Sequence, residues 1–302
     1  MPDIDKITSL SEKAVDKANG LAKWFRAPSE EARNYLVELI QKDAKLNKEE
    51  KVNLIRYSRK VLRECTNSRT VYEEAKKLFN SDVNEDEVEV DEDWLHFFFD
   101  KAEKVSNKSM QILWAKMLAG EFNKPGSISR KLMHIISIMD AQSARSFQTF
   151  CLYVFERYGL FTPQYDTKTV LIPKSFYTDS FDFMLKAEQW LKNANFDDYK
   201  GLALRLTMTS GELNSLENLG LIQQVQESIC EIPLMYRIND NNYVYLAPQE
   251  DSGFPLGAYS FTAEGKQLYD IINVNGDTAC LEIIIQYLKL CNVKFEMNVI
   301  KK

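Results

Sequence analysis

The chain has 302 residues, of which 45% are hydrophobic, 12% aromatic and 27% charged, so it can bury one large core or two smaller ones and is not wholly disordered. Its formal net charge of −6 argues against a generally basic nucleic-acid binder. Cys65, Cys151, Cys230, Cys280 and Cys291 make no C-x-x-C pair, which argues against a zinc ribbon or dithiol redox motif and suits reduced thiols in the cytoplasm.

The opening MPDIDKITSL has no apolar h-region, so no secretory leader is expected, and no apolar run reaches the ~18 residues of a spanning helix. Apolar positions at Ile4, Ile7, Leu10, Ala14, Ala18, Leu21 and Phe25 make one helical stripe, with Lys6, Lys13, Lys17 and Lys23 off it. Such a stripe, ending in Trp24 and Phe25, packs on its own domain or a partner, or lies at a membrane surface through Ile4, Ile7, Leu10, Leu21, Trp24 and Phe25. Asp5, Glu12 and Asp16 dilute the cationic face and favour packing. After Pro28, Ser29 and two glutamates read as a helix start with acids in its first turn. Helical periodicity continues through YLVELIQ, resumes at Lys48 and reaches about Phe79, so residues 1–80 form an N-terminal helical region. Between residues 6 and 77, seventeen bases outnumber eleven acids.

Ser81 to Asp93 reverses that balance, with eight acids and no base, and residues 81–92 read as a solvated acidic linker. It lacks the D-x-[DN]-x-[DN]-G order of a calcium loop. Residues 93–160 read as a central module of four helices. Asp91 or Asp93 caps the first and Ser106 the second, whose stripe is Met110, Leu113, Trp114, Met117 and Leu118. Pro125 and Gly126 make the next turn, Ser127 or Ser129 caps the third helix, and Asp140 caps a fourth running to Gly159.

Past Leu160 the texture changes. Prolines and β-prone runs such as TKTVLIP, SICEIPLMYRI and NNYVYLAP alternate with short helices. SGELNSLENL reads as a helix ended by Gly220, then the strand-like LIQQV. YSFTAEGKQLYDII reads as a strand end, a Thr cap and a helix. Residues 161–302 therefore read as a winged-helix-like α+β domain, and the whole chain as mainly α with a C-terminal α+β part. From Gly211 to Ile272 only Arg237 and Lys266 face nine acids, so this domain is expected to dock protein rather than DNA.

Chemistry-bearing patterns are sparse. His96 and His134 lie in apolar helical contexts with no second ligand at i+4, and read as core or boundary histidines rather than metal ligands. There is no G-x-S-x-G elbow and no phosphate loop, since GEFNKPGS lacks the spacing and the Lys-Ser/Thr ending. In LWAKMLAGEFNKPGSIS, Trp114 belongs to a buried helical face and Gly120 is expected to admit a close neighbouring helix. Glu121 has no evident structural task; an exposed or helix-capping carboxylate is the simpler reading.

Several runs together resemble a bacterial family of domains of unknown function. They are Asp93-Trp94, Val105-Ser106, Met110-Gln111, Leu113 to Glu121, Pro125-Gly126-Ser127, Ser129, the Ala144 to Phe147 helix, Leu219 to Ile222 and Phe261 to Gly265. The resemblance covers the chain from about residue 50 onward and implies no reaction and no catalytic residue. The central helices are also similar to abortive-infection proteins, which implies a part in bacterial defence against phage. The expectation is a non-enzymatic interaction or assembly subunit, a sensor or adaptor, cytoplasmic, without cofactor, metal or small-molecule substrate. A protein partner or homo-oligomer is expected and DNA is not. The alternatives are a membrane-surface effector using residues 4–25, peripheral at the membrane, and a cryptic enzyme built around Glu121 or His134.

Overall fold

The computed structural model describes residues 30–79, 90–158, 168–170, 180–230, 234–239, 242–247, 254–272, 278–290 and 294–299. The chain divides into two compact units, Met1–Ser137 and Ile138–Lys302. Most of the described residues are helical. The N-terminal face from Ile4 to Phe25, and residues 80–89 of the acidic linker, lie outside the described residues.

In the first unit, α1 (Glu30–Lys42) and α2 (Lys48–Lys76) form a helical hairpin. A capping box starts α2: the Asn47 side chain accepts from the Glu50 N–H, and the Glu50 carboxylate accepts from the Asn47 N–H. Three shorter helices follow, α3 (Glu92–Ala102), α4 (Lys108–Asn123) and α5 (Arg130–Ile138). The core is supplied by one face of each: Val71, Tyr72 and Ala75 of α2, Trp94 and Phe98 of α3, Trp114, Met117 and Leu118 of α4, and Leu132, Met133 and Ile136 of α5. Phe98 is the aromatic hub, stacked on Trp94 at 5.2 Å and edge-on to Trp114 at 5.1 Å between ring centroids.

Asp91 caps α3 by accepting the Trp94 N–H, whereas α4 is capped by Asn107 rather than Ser106. Both residue types can cap, and Ser106 instead accepts from the Asn67 side chain. His96 and His134 are exposed on α3 and α5, which corrects their reading as core or boundary histidines: the buried stripes of these helices pass through Trp94, Phe98, Met133 and Ile136 instead.

The second unit opens with α6 (Ala141–Leu152), capped by Asp140. This helix was expected to reach Gly159. It stops at Leu152, and Val154–Tyr158 is strand β1, because VFERY finds antiparallel partners in β2 (Lys168–Val170) and β4 (Leu234–Asn239). Helices α7 (Ser180–Asn193), α8 (Tyr199–Leu206) and α9 (Ser210–Asn218) come next, followed by β3 (Ile222–Cys230), β4 and β5 (Asn242–Ala247). The chain then runs through β6 (Phe254–Phe261), α10 (Ala263–Ile272), α11 (Thr278–Leu290) and β7 (Lys294–Val299).

Among the described residues, the seven strands join one antiparallel sheet of order β3-β6-β2-β1-β4-β5-β7. The C-terminal part is thus α+β, with more sheet than a small winged domain requires. The unit boundary at 137/138 falls inside the stretch 93–160 read from sequence as one module. Helix α6 sits with the second unit because it packs on α9 and sets Phe147 and Phe150 against Phe261, at 5.8 and 5.4 Å.

Candidate functional site: a side-chain-pinned turn

The motif residues of the first unit converge on the turn between α4 and α5. Helix α4 ends as the Lys124 N–H donates to the Gly120 carbonyl at 2.9 Å. Pro125 cannot continue a helix, and Gly126 takes φ +81°, a conformation that a Cβ disfavours. The Ser127 N–H returns to the Lys124 carbonyl, and the Ser127 hydroxyl donates to the Gly120 carbonyl at 3.1 Å. Ser129 then caps α5 by accepting the Leu132 N–H.

Glu121 organises this turn. Its side chain is buried, and its two oxygens accept the Gly126 N–H at 2.6 Å and the Ile128 N–H at 2.8 Å. The expectation of an exposed carboxylate is therefore corrected. A turn leaves backbone donors pointing inward, and a carboxylate in the last turn of the preceding helix supplies both acceptors at once. The Ile128 carbonyl accepts the Trp94 indole N–H at 2.7 Å. Ile128 thus has its N–H held by α4 and its C=O by α3. Asp91, besides capping α3, meets Arg130 of α5 at 3.0 Å, an exposed pair of small energetic weight.

Gly120 does not play the role expected of it. A Cβ built there would lie 3.8 Å from the nearest Ile128 carbon, ordinary van der Waals contact, so no close helix approach demands a glycine. Trp114 behaves as read, fully buried on the inward face of α4. Its indole nitrogen is buried without a hydrogen-bond partner.

A second polar cluster ties α2 to the α3–α4 connection, and the sequence reading had not identified its hub, Asn67. The Asn67 amide donates to the Glu103 carbonyl at 2.8 Å and to the Ser106 hydroxyl at 3.2 Å. Its oxygen accepts from Gln111, which also donates to the Val105 carbonyl. Val105, Ser106 and Gln111, three residues of the family resemblance, therefore meet around the buried Asn67 side chain. The signal for Asn67 was a polar residue in phase with Val71 and Tyr72, on the buried side of α2. Beside this cluster the Glu103 carboxyl is pushed above its ordinary range, first by burial and then by the neighbouring Glu64.

The second unit repeats the theme. Residues 219–222 and 261–265, far apart in sequence, lock together. The Thr262 hydroxyl donates to the Gly220 carbonyl at 2.6 Å and accepts the Gly265 N–H, and Ile222 pairs with Phe261. Gly220 takes φ +75°. Gly265 lies so close to the Leu221 backbone that a Cβ would fall 1.8 Å from its carbonyl oxygen. On α9, Glu212 completes a capping box with Thr209, and its carboxylate also accepts from Ser146 at 3.0 Å and Gln142 at 2.9 Å of α6. Burial pushes this carboxyl up, but the hydrogen bonds from Thr209, Ser146 and Gln142 outweigh it and hold Glu212 below its ordinary range.

Among the described residues no group of three or more His, Cys, Asp or Glu side chains is placed to hold a metal, and no helix is long and apolar enough to cross a membrane. Residues 53–284 match the sequence profile of DUF2806, a protein of unknown function. The chain belongs to the DUF2806 family. The match includes part of each unit, and with them the pinned turn, the Asn67 cluster and the Gly220–Thr262 lock. Neither the curated proteins nor the solved structures provide a significant match to this DUF2806 chain.

Proposed function

We propose that this DUF2806 protein is a non-enzymatic interaction or assembly subunit, a sensor or adaptor working in the cytoplasm in bacterial defence against phage. The observation that carries the non-enzymatic part is the Glu121 geometry. The acid of the most distinctive motif has both oxygens committed to backbone N–H groups of its own turn. A general base needs an oxygen within reach of a substrate proton, and here that oxygen would first have to release the turn. The defence setting rests on the likeness of the central helices to abortive-infection proteins.

Within this reading the C-terminal unit is winged-helix-like. Helix α9 leads into β3, β3 pairs with β6, β2 flanks β6 on its far side, and α10 follows. Nine acids against two bases between Gly211 and Ile272 suit docking to protein and oppose phosphate contacts.

The test is phage plating on cells carrying the gene with its native neighbours, with and without this gene, together with mass-spectrometric identification of co-purifying chains. The proposal expects protection that disappears with the gene and a stoichiometric protein partner or self-assembly. Equal plaque counts across a broad phage panel would contradict the defence role. A monomer that turns over a substrate without any partner would contradict the adaptor role.

A further inference from the structure

The first half of α2 carries an exposed basic stripe. No residue of α2 before Leu62 is buried, and Ile55 and Ser58 are half-buried on the side where the Lys51 ammonium reaches the Gln41 carbonyl of α1. From Lys51 to Arg63 the sequence has five bases and no acid. At about 100° per residue, Lys48, Val52, Arg56, Arg59 and Arg63 fall within about 80° of one another, along about 22 Å of helix. All five are exposed, and the apolar side chains of Leu54, Tyr57 and Val61 turn to the other flank. Nearby acids are committed elsewhere: Glu50 to the capping box of α2, Glu64 to Lys60 and Glu38 to Lys42. Among the described residues Arg56, Arg59 and Arg63 form no ion pair, and from Lys48 to Thr70 Glu49 is the one acid beside the stripe. Like charges three and four residues apart repel on a helix, so these arginines are held together without compensation.

We propose that this stripe binds the phosphodiester backbone of a nucleic-acid duplex. Three of its four bases are arginines, whose planar forks donate paired hydrogen bonds to a phosphate and stay charged at any working pH. A duplex carries one negative charge per about 1.7 Å of axis, so a row of cations about 22 Å long meets several phosphates at once. The chemistry of the stripe favours this partner over others. Its one apolar side chain is Val52, whereas protein-docking surfaces centre on buried apolar or aromatic anchors. A lipid surface takes up an apolar face with bases at its edges, and here the apolar side chains lie on the other flank. The net charge of −6 and the acids between Gly211 and Ile272, which argue against DNA, describe the whole chain and the second unit, not this helix of the first. A nucleic acid held here gives a sensor something to read, but the binding itself does not depend on a role in defence.

The experiment is fluorescence anisotropy of labelled duplexes of about 20 base pairs, one of DNA and one of RNA, titrated with the full chain at several salt concentrations. Four phosphate contacts predict, for DNA, a log–log salt slope of about −3.6, or about 150-fold weaker binding at 200 than at 50 mM KCl. Arg59→Gln/Arg63→Gln should bring that slope to about −1.8. Val52→Arg, which adds a base to the stripe, should tighten binding and steepen the slope by about one, a gain that unfolding cannot imitate. Lys108→Gln/Lys186→Gln removes the same charge from exposed positions outside α2 and should leave the slope unchanged. Binding of either duplex with these responses supports the proposal, and the two arms show which sugar backbone is preferred. It is overturned if neither duplex binds, if the arginine variant keeps the wild-type slope, or if the lysine control loses as much. Equally tight binding of poly-glutamate identifies an acidic polypeptide instead, and binding confined to phosphatidylglycerol vesicles identifies a lipid surface; either result overturns it.

Discussion

Two glycines illustrate how residue-level geometry decides what a motif residue is for. Gly265 cannot accept a side chain, because Leu221 backbone occupies the space, and backbone cannot rotate away. Gly265→Ala should destabilise the second unit by about 1–3 kcal/mol or more, read from urea unfolding followed at that unit. Gly120 lies in the last turn of α4 with room for a methyl group. Gly120→Ala should leave stability unchanged or raise it by up to about 1 kcal/mol through helix propensity. From the sequence the two glycines look alike, since each lies in a helix beside residues of the family resemblance. What separates them is whether a non-neighbouring backbone passes close by, and no local pattern encodes that. Glu121 was equally ambiguous. Its spacing to Gly126 and Ile128 makes sense only once Gly126 adopts φ +81° and aims two N–H groups back at α4.

At the scale of elements, the hydrogen-bonded cluster around the buried Asn67 and Gln111 side chains should couple α2 to α4. A double-mutant cycle with Asn67→Ala and Gln111→Ala should show a coupling of about 0.5–3 kcal/mol, whereas additive losses would mean that each amide acts independently. Several helix starts were legible, although the cap of α4 and the end of α6 were not. Asp91, Asp140 and Thr262 cap as their side chains and the following periodicity indicate, because a cap is a local interaction spanning three residues. Strand β1 was not legible. VFERY continues the apolar phase of α6, and its partners Lys168–Val170 and Met235–Arg237 lie ten to eighty residues away. A strand whose stability comes from such remote pairing carries little sign of it in its own sequence.

At the scale of the whole molecule, the two units should respond differently to acid. Glu212 has a depressed carboxyl in the folded state, so the stability it contributes is present above its unfolded value of about 4.3 and is lost as pH falls through the lower folded value. Glu103 in the first unit is shifted the opposite way, so its protonation favours that unit as pH falls. Hydrogen exchange between pH 5 and pH 3 should therefore show weakening around α6 and α9 that Glu212→Gln makes less steep; an unchanged slope in that variant would remove Glu212 from the account. The division between a helical first unit and an α+β second unit was readable from the change in texture past Leu160, where prolines and β-prone runs enter. Its boundary at 137/138 was not, because α5 and α6 are separated by two residues and look continuous until α6 is seen to pack on α9.

The central claim, that the most distinctive motif of this DUF2806 chain is a structural joint, depends on the Glu121 carboxylate more than on any other group. The most direct measurement is the unfolding free energy of Glu121→Gln, from urea denaturation followed by Trp94 and Trp114 fluorescence. An amide retains one acceptor and turns a donor toward the other N–H, so a loss of about 1.5–3 kcal/mol is predicted for the first unit. A variant as stable as wild type would show that the turn does not need its carboxylate, and would return Glu121 to the catalytic candidates.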